Sequence, residues 1–275
     1  MRAPPVLLLP LLLVVGSRAQ DGEAQCARPD MCQDTFAATG PFGTEATTLR
    51  FRRKSSYKNG MGVTSSLVTY PVDSRCAENL HTYTGGGIAQ IACRRFNNGT
   101  VTELAGASDR LRFPVVSYGH GAGAPVEVYE STYRHLASHG IIVISTKNPS
   151  TNPGAIGDDL VYQLLRLVDL NDDPKSIFYQ RVDTRNFASM GHSMGGGAAM
   201  NAAVQAGCAP GNTYKYCIKT ALGDHPAPWS NAVRLSVPAF FTSGNTDPLT
   251  PPAWISTTAS RVAGNPSGRA RGEAP

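Results

Sequence analysis

The apolar run Phe187–Met190 leads without a break into Gly191-His192-Ser193-Met194-Gly195, and Gly196, Gly197, Ala198, Ala199, Ala202 and Ala203 follow. Consecutive glycines are poor helix formers, so glycines at the start of a helical stretch point to close packing of that helix on a sheet. A serine between two glycines at a strand-to-helix junction sits in a tight turn that lifts its hydroxyl above the sheet, and bulk on either side would clash. A flexible glycine loop has no need of the apolar run before it or the small-residue run after it. The segment therefore calls for a strand, a sharp turn and a helix laid back over that strand.

The surrounding chain fits this demand. Short β-rich runs at Leu67–Tyr70, Ile88–Cys93, Phe113–Ser117, Ile141–Ser145, Phe187–Met190, Thr220–Leu222 and Val237–Thr242 alternate with helical patterns, the signature of a largely parallel sheet with helices on both faces. Several of these runs are apolar throughout, as strands buried on both faces must be. Ile156, Leu160, Val161, Leu164, Leu165 and Val168 recur at helical spacing and predict an amphipathic helix, with Asp158 and Asp159 in its first turn to suit the dipole. No internal repeat is present. A chain of 275 residues, 41% hydrophobic and 16% charged, suits one folded α/β domain, expected over residues 20–260. Residues 261–275 have almost no apolar side chain to bury and read as a disordered tail.

A serine hydroxyl is a weak nucleophile, and its attack on an acyl group creates an oxyanion, so it needs a base and hydrogen-bond donors. Where a serine turn crowns an α/β-hydrolase fold, one donor is the backbone N–H after the nucleophile, here Met194, and the other comes from the loop after an earlier strand. Phe113-Pro114-Val115-Val116-Ser117-Tyr118-Gly119-His120-Gly121 is such a strand and loop, so His120 or Gly121 offers the second N–H. The His120 imidazole is alternatively a base or a plain loop histidine. The acid is expected just past a later strand, where Ser243-Gly244-Asn245-Thr246-Asp247-Pro248 places Asp247, with Asp224 in reserve. An Asp before proline also suits a turn with no chemistry.

From about Leu67 to Trp254 the sequence resembles the cutinase-like and polyester (PET) hydrolase group, with chlorophyllase-like and dienelactone-hydrolase-like relatives further off. The resemblance is carried by His135-Leu136-Ala137-Ser138-His139-Gly140-Ile141-Ile142-Val143-Ile144, by Tyr179-Gln180-Arg181-Val182-Asp183-Thr184 and by Gly191-His192-Ser193-Met194-Gly195-Gly196-Gly197. It implies an α/β-hydrolase fold, Ser193 as nucleophile, Asp247 as acid, and the backbone N–H groups of His120 and Met194 as oxyanion hole. Pro226-Ala227-Pro228-Trp229 is similar to a segment whose tryptophan flanks an apolar ester chain, which makes Trp229 a substrate wall; by residue type alone it is equally a core aromatic. The implied activity is ester hydrolysis through an acyl-enzyme, on an apolar small-molecule or polymeric ester, with no cofactor and no metal.

One departure bears on that implication. The fold's order is serine, acid, histidine, yet the last histidine of the sequence is His225. The stretch after Ser260 has no counterpart of the group's closing strand, histidine loop and final helix, so the sequence reads as a domain whose C-terminal strand and helix are missing, with a truncated or altered end. Alternatively His225, just past a strand end, supplies the base. A catalytically impaired binding or regulatory relative is the rival reading.

Met1 and Arg2, the apolar run Val6–Val15 and the small residues Ser17 and Ala19 form a secretory signal peptide over residues 1–19, so a secreted protein is expected. The run is too short to span a bilayer. Six cysteines then suggest disulfides, with the local pairs Cys26/Cys32, Cys76/Cys93 and Cys208/Cys217 expected. Asn98-Gly99-Thr100 is a glycosylation sequon. The net charge of +5 is scattered, its densest run being Arg52-Arg53-Lys54, which excludes a nucleic-acid surface and leaves a solvated face. A monomer is expected.

Overall fold

The computed structural model describes residues 39–40, 42–55, 60–72, 94–97, 100–103, 112–148, 151–208, 216–227, 235–253 and 255. The expected signal peptide, the Ile88–Cys93 strand, the pairs Cys26/Cys32 and Cys76/Cys93, the Asn98 sequon, Trp229 and the tail 261–275 lie outside these residues.

Strands β1 (Gly43–Ser55), β2 (Gly60–Val72), β5 (Phe113–Gly119), β6 (Ile142–Thr146), β7 (Val182–His192), β8 (Ile218–Asp224) and β9 (Ala239–Thr242) form one sheet in the order β1-β2-β6-β5-β7-β8-β9. From β6 to β9 every pairing is parallel, as the alternation of strand and helix patterns predicts; β1 with β2 and β2 with β6 are antiparallel. The short strands β3 (Arg94–Asn97) and β4 (Thr100–Glu103) pair separately. Among the described residues β9 is the edge strand on the side away from β1.

The sheet is covered on both faces, and the two-residue period of the strands assigns each side chain to one of them. Helix α1 (Glu130–Ser138) sends Tyr133 and Leu136 against Val116, Val143, Ala188 and Leu222. Helices α2 (Pro153–Asp172) and α3 (Met194–Ala206) pack on the other face against the alternate residues Val115, Ile142, Ile144, Phe187 and Ala221. Small polar residues on that face satisfy helix carbonyls: the Ser117 hydroxyl donates to Leu160 O at 2.9 Å and the Ser189 hydroxyl to Ala199 O at 2.8 Å.

Two expectations change. Helix α2 begins at Pro153, a turn earlier than its apolar stripe, because Asn152 caps it: its side chain accepts from Gly154 N at 2.8 Å and Ala155 N at 3.2 Å, and proline suits the first helical position. Asp158 and Asp159 therefore stand beyond the first turn, and Asp159 is buried, accepting from Asn148 Nδ2 at 2.6 Å. The strand expected at Leu67–Tyr70 is the middle of β2, a much longer strand paired with β1 along its whole length. Of the expected cysteine pairs, Cys208–Cys217 is present and ties the end of α3 to the start of β8.

Candidate active site

Ser193 occupies the single residue between the end of β7 and the start of α3, with φ 53° and ψ −120°. A non-glycine residue at positive φ is held there at a cost of order 1–3 kcal/mol and persists only where its surroundings fix it. Three backbone bonds do so: Ser193 N donates to Asp224 O at 2.8 Å, Ala227 N donates to Ser193 O at 2.8 Å, and Gly197 N donates to Ser193 O at 3.1 Å. The glycines make room for the turn. A methyl on Gly119 would lie 2.8 Å from Gly195 Cα, and one on Gly195 would be driven into the Gly119 carbonyl, so β5 and α3 touch backbone to backbone. Ser193 is half-buried, and among the described residues its hydroxyl has no hydrogen-bond partner. Met194 is the first helical residue, where N–H groups lack intrahelical acceptors and the helix dipole is positive.

The loop after β5 abuts this turn. His120 is 2% exposed, and its ring nitrogens lie 2.8 Å from Gly121 O and 2.7 Å from Asn148 O. The imidazole is thus spent on tethering the loop. Gly121 N donates to the Tyr129 hydroxyl at 3.0 Å, and that hydroxyl lies 2.9 Å from His192 Nδ1. A methyl on Gly121 would stand 3.6 Å from Ser193 Cβ, so loop and serine turn form two walls of one site. Behind Tyr129 the rings of Tyr118 and Tyr133 lie 5.3 and 6.4 Å away, centre to centre. Burial pushes the Tyr118 hydroxyl above the usual phenol range, with the neighbouring tyrosines adding to it, so it stays neutral.

The ends of β8 and β9 bring carboxylates and a second imidazole. His225, with φ 46°, lies 2.8 Å through Nδ1 from Asp224 Oδ1, an oxygen that the Thr242 hydroxyl also approaches. Its ring centre is 6.3 Å from that of His192. A methyl on Gly244 would stand 3.2 Å from His225 Nε2 and 3.8 Å from Asp247 Cβ. Asp247 spends both oxygens on its own loop: Oδ1 accepts from Leu249 N at 2.8 Å and Thr250 N at 3.0 Å, and Oδ2 from the Thr250 hydroxyl at 2.6 Å. The Thr250 hydroxyl, then the two backbone donors and the charge of His225, hold this carboxyl below its usual range.

The fold thus gathers Ser193, Met194 and the His120–Gly121 loop, with Asp224–His225 and Asp247 at the neighbouring strand ends. Tyr129 and Asn148 escaped sequence reasoning because no motif marks them, and the sequence marks Asp159 only for the helix dipole. A cavity of about 310 Å³ adjoins the loop of this cluster, lined by His120, Pro125, Val126 and the Glu127–Lys147 ion pair. Among the described residues no group of three or more His, Cys, Asp or Glu is placed to hold a metal ion, and no helix is long and apolar enough to cross a membrane.

A family model described as PETase, PET hydrolase-like, matches residues 95–259. The chain belongs to the PET hydrolase-like family. This agrees with the polyester hydrolase resemblance and with the mostly parallel, helix-covered sheet of an α/β-hydrolase fold. Membership of the PET hydrolase-like family supports hydrolase activity. Comparison with curated proteins gives no match.

Proposed function

We propose that this PET hydrolase-like protein is a secreted serine carboxylic ester hydrolase acting through an acyl-enzyme on apolar or polymeric esters. The observation that carries the reading is Ser193 itself: a strained, half-buried residue at a strand-to-helix turn, its hydroxyl unpartnered among the described residues. In this reading the Ser193 hydroxyl attacks the ester carbonyl, and the Met194 N–H at the positive end of α3 stabilises the oxyanion. With the Gly121 N–H engaged by Tyr129, the backbone N–H of His120 is the second donor. By family resemblance Trp229 is the wall for the apolar chain and Asp247 the acid, its charge lying beside Gly244 on the Nε2 side of His225, away from the Nδ1 that Asp224 Oδ1 contacts. His225, oriented by Asp224 as a histidine base is by its carboxylate, takes the serine proton and returns it to the leaving alcohol. Water then attacks the acyl-enzyme by the same route.

A second reading, a catalytically impaired binding or regulatory relative, is favoured by one observation: Asp247 spends both its oxygens within its own loop. Hydrolysis of short p-nitrophenyl esters separates the two. We expect turnover by the native chain and a loss of roughly 10³-fold or more in Ser193→Ala and in His225→Ala, in keeping with loss of a triad member. Equal rates in native protein and Ser193→Ala would favour the binding relative.

A further inference from the structure

Tyr129 belongs to no motif, yet its hydroxyl touches both walls of the serine site. On one side is the Gly121 N–H at 3.0 Å, on the other His192 Nδ1 at 2.9 Å, and His192 directly precedes Ser193 in the chain. We propose that Tyr129 is a positioning residue of this hydrolase: its hydroxyl clamps the loop after β5 to the serine turn and holds His192 in the tautomer protonated at Nε2. The proposal rests on the reading of Ser193 as nucleophile.

The direction of each hydrogen bond follows from what the groups have to give. A backbone N–H only donates, so the Tyr129 oxygen accepts from Gly121. His192 Nδ1 is the other described hydrogen-bond partner of the Tyr129 hydroxyl, and in the proposed clamp it receives the phenolic proton; a neutral imidazole that accepts at Nδ1 bears its proton at Nε2. Either bond alone would tie one wall; together they set the spacing between the walls. Gly121 has no side chain to intervene, since a methyl there would crowd the Tyr129 oxygen at 3.0 Å and His192 Nδ1 at 3.2 Å.

Both ends of the clamp are anchored. Tyr129 packs on Tyr118 and Tyr133, and the Tyr133 hydroxyl donates to Ser145 Oγ at 2.9 Å, which donates to Tyr118 O at 3.1 Å. The loop is held from behind by His120, which binds Asn148 O, while the Asn148 amide binds the buried Asp159. A chain of contacts thus runs from α2 through the loop to the residue beside the serine. Donors for an oxyanion work because they are in place before the charge develops, so loosening this chain should slow turnover more than it weakens substrate binding.

Tyr129→Phe keeps the ring and removes only the hydroxyl. With a soluble p-nitrophenyl ester we expect kcat to fall about 10- to 100-fold, as slight misplacement of reacting groups does, with KM changed by no more than about twofold. His192→Phe should lose a similar factor, and the double variant no more than either single one, because both break the same contact. Nitrogen NMR of histidine-labelled native protein should show His192 protonated at Nε2 alone, and Tyr129→Phe should abolish that preference. An unchanged kcat in a folded Tyr129→Phe, or native His192 protonated at Nδ1, would overturn the proposal. The NMR readout needs no turnover, so a chain inert to esters, which would sink the hydrolase reading, still reports whether the clamp exists.

Discussion

Asp247 sits in a cradle of three donors supplied by Leu249 and Thr250, and the Thr250 hydroxyl is the largest cause of its lowered pKa. A carboxyl whose pKa is lower in the folded chain stabilises it above the ordinary aspartate value, about 4, and that contribution fades as pH falls through the lowered value. Asp247→Asn should therefore melt below the native protein at pH 6, and the gap in Tm should close as the pH approaches 2. A gap that stays constant into strong acid would show that the loop is held by something other than the charge. At this scale the sequence is an uneven guide. The turn at Ser193 and the helix start at Met194 are legible because they depend on contiguous residues. The bridge from Gly121 to Tyr129 to His192 is not, since it joins a loop, a short helical turn and a strand end that only the folded sheet brings within 3 Å.

Among the elements, the crossing of β5, β7 and α3 carries the site. Its closeness depends on Gly119, Gly191 and Gly195, each of which faces backbone where a side chain would begin. Gly195→Ala should destabilise the fold by about 1–3 kcal/mol, the usual cost of forcing a methyl into a packed interior, read by urea unfolding. A neutral result would mean that α3 can shift outward and that the contact does not fix the serine turn. Helix α2 shows what the pattern did and did not reveal. Ile156, Leu160, Leu164 and Val168 are buried in register with the expected stripe. The start at Pro153 was set instead by the cap on Asn152, a polar signal that lies outside any apolar periodicity. Asn152→Ala should cost about 1 kcal/mol of stability, visible as a lower urea midpoint; an unchanged midpoint would assign the helix start to packing alone.

For the whole molecule, the short apolar stretches Val115-Val116, Ile142-Val143-Ile144, Phe187-Ala188 and Ala221-Leu222 are buried, as parallel strands covered on both faces require, which is why the middles of β5 to β8 could be read from sequence. Strand β1 could not, because among the described residues it lies at the sheet edge with one face toward solvent: Thr48 and Arg50 are exposed while Phe51 is buried. The parallel order places the ends of β5, β7, β8 and β9 side by side, and each contributes to the cluster around Ser193. An α/β sheet collects its ligand-facing groups at these carboxyl ends. Whether the cluster performs covalent chemistry is tested most directly by treating the native chain with an organophosphonate ester and locating the adduct by peptide mass spectrometry. One stoichiometric adduct on Ser193, absent from Ser193→Ala, is the expected result. Labelling at another residue, with Ser193 unmodified in a protein that hydrolyses esters, would contradict it.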